Sequence, residues 1–240
     1  MPRLVDALKF QRNSPPRIVG SVTTRAGLVR AAKASGNDCD LIEVRLDLMP
    51  KPLLTDLTAL NRLLAAVPLP ILATLRSTRE GGQCSWPLGW RLEFFSKLLP
   101  QIALIDLELF AAANCADAIQ RFAAAGKKIV LSYHDFDKLP ADRFVRKKIA
   151  SMHGYGAHVA KFAAHLNSHA DIDRLENLMD GWDKPVALMG MGPWATESRL
   201  RLALAGSALN YGYYDAPAAP GQIHSAELKA LLSRPEALRS

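Results

Sequence analysis

The chain has 240 residues, of which 49% are hydrophobic and 22% charged, and its 30 Lys and Arg against 23 Asp and Glu leave a net charge of +7. This composition excludes a disordered polymer, and the length allows one sizeable core. No apolar run nears the ~18 residues of a membrane span, and Asp6 and Lys9 interrupt what would have to be the apolar part of a signal peptide.

Residues 1–16 precede any strand signal and read as an N-terminal extension, placed to close the bottom of the domain. Short apolar, β-branched runs then follow at 18–22, 41–45, 71–75, 104–108, 129–133, 159–162, 186–189 and 207–211. Each has the length of a strand buried on both faces of a sheet. Ala-, Leu- and Arg-rich stretches lie between them and read as helices, at 27–35, 91–99, 116–125, 143–153, 172–179 and 197–205. Strand starts recur every 21 to 33 residues, with no Pro/Gly linker between units. The pattern predicts a single domain over 1–240, an eight-stranded (β/α)8 TIM barrel of the α/β class. A doubly wound open sheet is the alternative, but TTRAGLVRAA after the first run lacks the GxGxxG fingerprint.

Barrel enzymes act at the C-terminal ends of their strands. Here those ends carry Ser21, then Glu43, Arg45 and Asp47, then Arg76 and Glu80, then Asp106 and Glu108, then His134, then Lys161, then Arg199, then Gln222. Charges inside apolar runs are costly unless paired, so their convergence on one end predicts a site. Lys161 sits in VAKFAA and has two readings. Desolvated beside other cations, its pKa falls and it becomes a nucleophilic amine able to form a Schiff base. Otherwise it snorkels from a strand end to water. His134 is either a general acid/base or a histidine satisfied locally. His153, His158, His165 and His169 are expected at the surface. Arg45, Arg76 and Arg199 are candidate carboxylate clamps, although Arg45 could pair with Glu43 or Asp47 and Arg76 with Glu80. Asp106 and Glu108 are expected to hold neighbouring cations.

The basic residues are scattered; the densest groups are Lys127-Lys128 and Arg146-Lys147-Lys148. That favours a small anionic substrate over nucleic acid or a membrane surface. Cys39, Cys84 and Cys115 are odd in number, widely spaced and free of any CxxC, so neither a disulfide framework nor a metal site is expected, and a cytoplasmic setting fits.

The ordered set LIEVRLD (41–47), TLRSTREGG (74–82), IDLELF (105–110), SYHDF (132–136), Lys161, MGMG…SR (189–199) and APGQI (219–223) resembles type I 3-dehydroquinate dehydratase, the Schiff-base enzyme of the shikimate pathway. The resemblance implies a (β/α) barrel, a homodimer, and no metal or dissociable cofactor. It implies that Lys161 forms an imine with the ketone of 3-dehydroquinate, that His134 moves the protons, and that Glu80 orients His134. It implies that Ser21, Glu43, Arg45, Arg76, Arg199 and Gln222 hold the hydroxyls and carboxylate of that anion. The sequence departs from the family at Ala218, where a Ser is usual, and at 193–197, where Gly-Lys-x-Gly is usual. It also has Ala160 before the lysine and His165-Leu166 for Met-Pro. Two alternatives remain open: a Schiff-base lyase or aldolase on a related polyhydroxy acid, and a ligand-sensing relative of weak activity.

Overall fold

The computed structural model describes residues 15–217 and 222–233. Ala218 and all but the last two residues of the N-terminal extension lie outside them.

Eight strands form one parallel sheet: β1 (Arg17–Val22), β2 (Leu41–Arg45), β3 (Ile71–Thr74), β4 (Leu104–Glu108), β5 (Lys128–Asp135), β6 (Val159–His165), β7 (Val186–Met191) and β8 (Leu209–Tyr213). They pair in chain order, and β1 pairs also with β8, in the order β7-β6-β5-β4-β3-β2-β1-β8. At the remaining seam the Ala208 N–H donates to the Val186 carbonyl at 2.9 Å, so the sheet is a nearly closed barrel. The helices between strands are α1 (Arg25–Ala31), α2 (Lys51–Thr55), α3 (Leu57–Ala66), α4 (Leu88–Leu98), α5 (Leu109–Ala112), α6 (Ala116–Ala124), α7 (Asp142–Gly154), α8 (Ala170–Asn177) and α9 (Ala195–Leu204). A tenth, α10 (Ser225–Leu232), follows β8. The eight expected strand runs are present, β5, β6 and β7 longer and β8 two residues later than the sequence suggested. The sequence reading did not place α2, α3, α5 and α10 individually.

Side chains alternate across a strand, and this places the site. One face of each strand packs on the helices: Ile42 and Val44, Ile105 and Leu107, Ile129 and Leu131 belong to that core. The other face fills the barrel. Val19, Leu41, Leu72, Leu104, Val130, Val159, Ala187 and Leu209 form an apolar lower layer. Two residues further along the same face come Ser21, Glu43, Thr74, Asp106, Ser132, Lys161, Met189 and Tyr211. The barrel interior is thus apolar at the base and charged one layer up. Register holds this layer level: Ser21 faces Glu43, Thr74 faces Asp106, and Ser132 faces Lys161.

Candidate active site

The charged groups of this layer pair with their neighbours. Glu43 accepts hydrogen bonds from the Ser21 hydroxyl at 2.6 Å and the Thr74 hydroxyl at 2.8 Å. Asp106 accepts from Arg76 Nη2 at 2.9 Å, from the Ser132 hydroxyl at 2.6 Å and from Lys161 Nζ at 3.3 Å. Glu108 takes the Ser77 backbone N–H at 2.6 Å and an ion pair from Arg91. Asp106 and Glu108 therefore hold neighbouring cations, as their place in the strand suggested. Burial alone would raise the Asp106 carboxyl, but Arg76, Lys161 and the Ser132 hydroxyl overcome it and hold it down at about 2.

That depression is a stability statement. A folded pKa of about 2 against an ordinary 3.8 contributes stability above the unfolded value, which is lost as pH falls through the folded one. Asp106→Asn should be less stable than the parent chain by about 2 kcal/mol or more near neutral pH. Urea denaturation should find the gap narrowing as the pH drops below about 4. A constant gap across that range would assign the loss to packing instead.

All nine candidate residues line one cavity of about 150 Å3 at the C-terminal mouth: Ser21, Glu43, Arg45, Arg76, Glu80, His134, Lys161, Arg199 and Gln222. Lys161 is 4% exposed, so the snorkelling reading fails. Burial pushes its ammonium below the ordinary lysine range, against the opposing pull of Asp106 and Glu43. Its Nζ also lies over the Tyr211 ring, 4.2 Å from the centre. His134 Nδ1 and Glu80 Oε2 are 2.8 Å apart. Burial, then Arg76, Lys161 and Arg45, push the His134 imidazolium well below 6.5, while burial pushes the Glu80 carboxyl up to about 8 against the pull of Arg76. Behind Glu80 the chain turns at Gly81 with φ of 75°. A Cβ there would stand 2.5 Å from the Phe136 ring, which stacks over His134 with centres 6.2 Å apart. Glycine at this position keeps the ring in place over the histidine.

The three candidate clamps differ. Arg45 gives its fork to Asp47, through Nε at 2.9 Å and Nη2 at 2.8 Å. Arg76 spends its fork on Ser132 and Asp106, with Glu80 at 3.6 Å. Arg199 lies in the second turn of α9, so the helix N-terminus contributes little to it. It is 5% exposed, and burial pushes its pKa down to about 10, a penalty that an arriving anion would reverse.

The altered 193–197 segment leads into α9, with Trp194 edge-on to His169 at 5.4 Å and Glu197 bonded to His169 at 2.8 Å. His165 sits against Gly192, where a Cβ would stand 2.5 Å from the imidazole. His165 is half-buried rather than on the surface. His153 and His158 are half-buried too, and the Ile129 N–H donates to His158 Nδ1 at 3.1 Å. Sequence reasoning missed Ser132, Thr74, Tyr211 and Arg91 as parts of the site and its support. Ser132 and Thr74 were legible, since both lie on the strand face that carries the charges.

The family model described as type I 3-dehydroquinase matches residues 18–238. The chain belongs to this family. It is 32% identical to a 3-dehydroquinate dehydratase of Methanocella arvoryzae over 216 residues, 89% of this chain and 94% of the relative. It is 31% identical to a catabolic 3-dehydroquinate dehydratase of Acinetobacter baylyi, with 87% and 81% covered. Among solved structures, a 3-dehydroquinate dehydratase from Geobacillus kaustophilus superposes with a TM-score of 0.84 at 25% identity, covering 94% of this chain and 93% of that one. The chain is accordingly an enzyme, a lyase of the type I family. None of the described helices is long and apolar enough to cross a membrane.

Proposed function

We propose that this enzyme dehydrates 3-dehydroquinate to 3-dehydroshikimate through an imine on Lys161, with His134 moving the protons. Family membership supports the overall reaction. The observation that carries the mechanism is a buried lysine sharing one small cavity with a bonded His–Glu pair.

The neutral Lys161 amine adds to the substrate ketone, and the carbinolamine loses water to give an iminium. That cation is an electron sink, so the adjacent C–H becomes acidic. His134 takes the proton as the electron pair moves into the enamine. The pair then returns, the β-hydroxyl leaves as water with a proton from the same histidine, and a conjugated iminium remains. Water hydrolyses it, releasing the enone and restoring the amine. Glu80 holds the imidazole through Nδ1 and leaves Nε2 for this work. Asp106 is the counter-charge for the cationic intermediates. Ser21, Glu43, Arg45, Arg76 and Gln222 hold the hydroxyls and shape the mouth, and Arg199 takes the carboxylate.

The test is direct: the purified chain, given 3-dehydroquinate, should produce the ultraviolet absorbance of the conjugated enone. No absorbance under conditions where the substrate binds would refute the reading. Arg199→Ala should raise KM and cost about 2–4 kcal/mol, or roughly 30- to 700-fold in kcat/KM, through the lost charge-assisted contact. Steady-state kinetics that find kcat/KM unchanged would move the carboxylate to another group.

A further inference from the structure

A second cavity, of about 570 Å3, lies on the flank of the barrel between the Thr78–Glu80 turn, α5 and α7. Its size is that of a small-molecule site. Glu80 and His134 line it as well as the central cavity, so the pair is a shared wall. Arg79, Lys147 and Lys148 also line it, and none of them forms an ion pair with a described residue. Two of them rest on rings instead. Arg79 lies 4.5 Å from the centre of the Phe110 ring, and Lys148 Nζ lies 4.9 Å from that of Tyr133 and 5.0 Å from that of Phe144. Phe110 and Phe144 remain 38% and 36% exposed, large ring surface left uncovered beside uncompensated cations. The acid facing the cavity is Glu80, which is bonded to His134.

We propose that this cavity is an effector site for a small aromatic carboxylate, coupled to the central site through Glu80 and His134. The cations call for an anion, and the ring walls call for a planar ring rather than a bare phosphate. The coupling rests on the dehydratase reading above. A carboxylate beside Glu80 makes ionisation of that side chain harder, and the ionised pair is the form that removes the substrate proton. Occupancy therefore lowers kcat, and by linkage the effector binds more weakly once Glu80 is ionised.

The probe is 4-hydroxybenzoate, titrated by calorimetry into the full chain, into Lys161→Ala and into the double variant Lys147→Ala/Lys148→Ala. Saturable binding is expected in the first two and at least about tenfold weaker binding in the third, which loses two charged contacts. Cyclohexanecarboxylate, with the same charge and no aromatic ring, should bind several-fold more weakly. In kinetics the probe should lower kcat and leave KM within about twofold, as coupling without competition requires. Three results would each overturn the proposal: no saturable binding, binding indifferent to the double variant, or purely competitive inhibition. An unliganded dimer that the double variant dissociates would assign the cavity to a second copy of this chain. Because calorimetry reads binding without turnover, an inactive chain that still binds the probe at this cavity would sink the dehydratase reading and leave the site standing.

Discussion

Borohydride added with 3-dehydroquinate should leave one reduced adduct, on the peptide that carries Lys161, and Lys161→Ala should carry none. Turnover of that variant should fall by about 10^4-fold or more, because the α-proton is not acidic enough to remove without the iminium. The geometry explains the choice of amine. Lys161 is buried, and burial lowers its pKa, which favours the neutral nucleophile. Asp106 at 3.3 Å opposes that shift, and in the proposed mechanism it is the counter-charge of the iminium. The same carboxylate thus taxes the first step and serves the later ones. In Lys161→Ala, Asp106 keeps Arg76 and Ser132 as partners, so the fold should survive, and near-native circular dichroism would check this. Lys161→Arg should fail as completely, since a guanidinium is never a neutral nucleophile at these pH values. Turnover without trapping would refute the Schiff base. Neither turnover nor trapping, with the ligand still bound, would favour the sensing role instead.

Much of this was legible in the sequence, and the reason is the two-residue period of a strand. LIEVR and LIDLE place Ile42 and Val44, or Ile105 and Leu107, on the helix side, and Glu43 and Arg45, or Asp106 and Glu108, inside the barrel. Charges at alternate positions of an otherwise apolar run have only the barrel interior to occupy, which is why the mouth could be assembled without coordinates. What stayed hidden falls into two kinds. The Arg91–Glu108 pair joins a helix to a strand seventeen residues on, and nothing local in Trp90-Arg91-Leu92 marks that arginine as 3% exposed. Long-range pairing of this kind is a property of packing. Tyr211 was lost for another reason. The expected run 207–211 ended on it, and a slip of two residues keeps the face but shifts the level, so Leu209 took its place in the layer; Ser207 precedes the strand and donates its hydroxyl to the Leu188 and Leu209 carbonyls. The helices at 51–66 were passed over although Leu53, Leu60 and Leu64 repeat at helical spacing and are buried.

His134→Ala should lower kcat by about 10^2- to 10^4-fold, the usual worth of a positioned acid/base, while some imine still accumulates. Imine formation has an uncatalysed route, whereas removal of the α-proton loses its proposed base. The pH profile tests the pair more sharply. His134 Nδ1 and Glu80 Oε2 are 2.8 Å apart and together hold one exchangeable proton. Burial raises the glutamate carboxyl to about 8, while burial and the neighbouring cations disfavour the imidazolium, and both shifts favour the proton on the glutamate. Below that pH, Glu80 donates to Nδ1, the ring proton sits on Nε2, and Nε2 can only donate. Above it, Glu80 accepts from Nδ1–H and the Nε2 lone pair is open, so the pair becomes a base as its net charge falls from 0 to −1. Arg76, 3.6 Å from Glu80, helps to hold that charge. The kcat should therefore rise as the pH climbs towards about 8. In Glu80→Gln the amide cannot take the proton, and His134 titrates alone, with its pKa depressed by burial. The rising limb should then move to lower pH, at a reduced maximum because the imidazole loses its charged partner. An unmoved limb in Glu80→Gln would show that the proton belongs to another group, with Lys161 the first to examine.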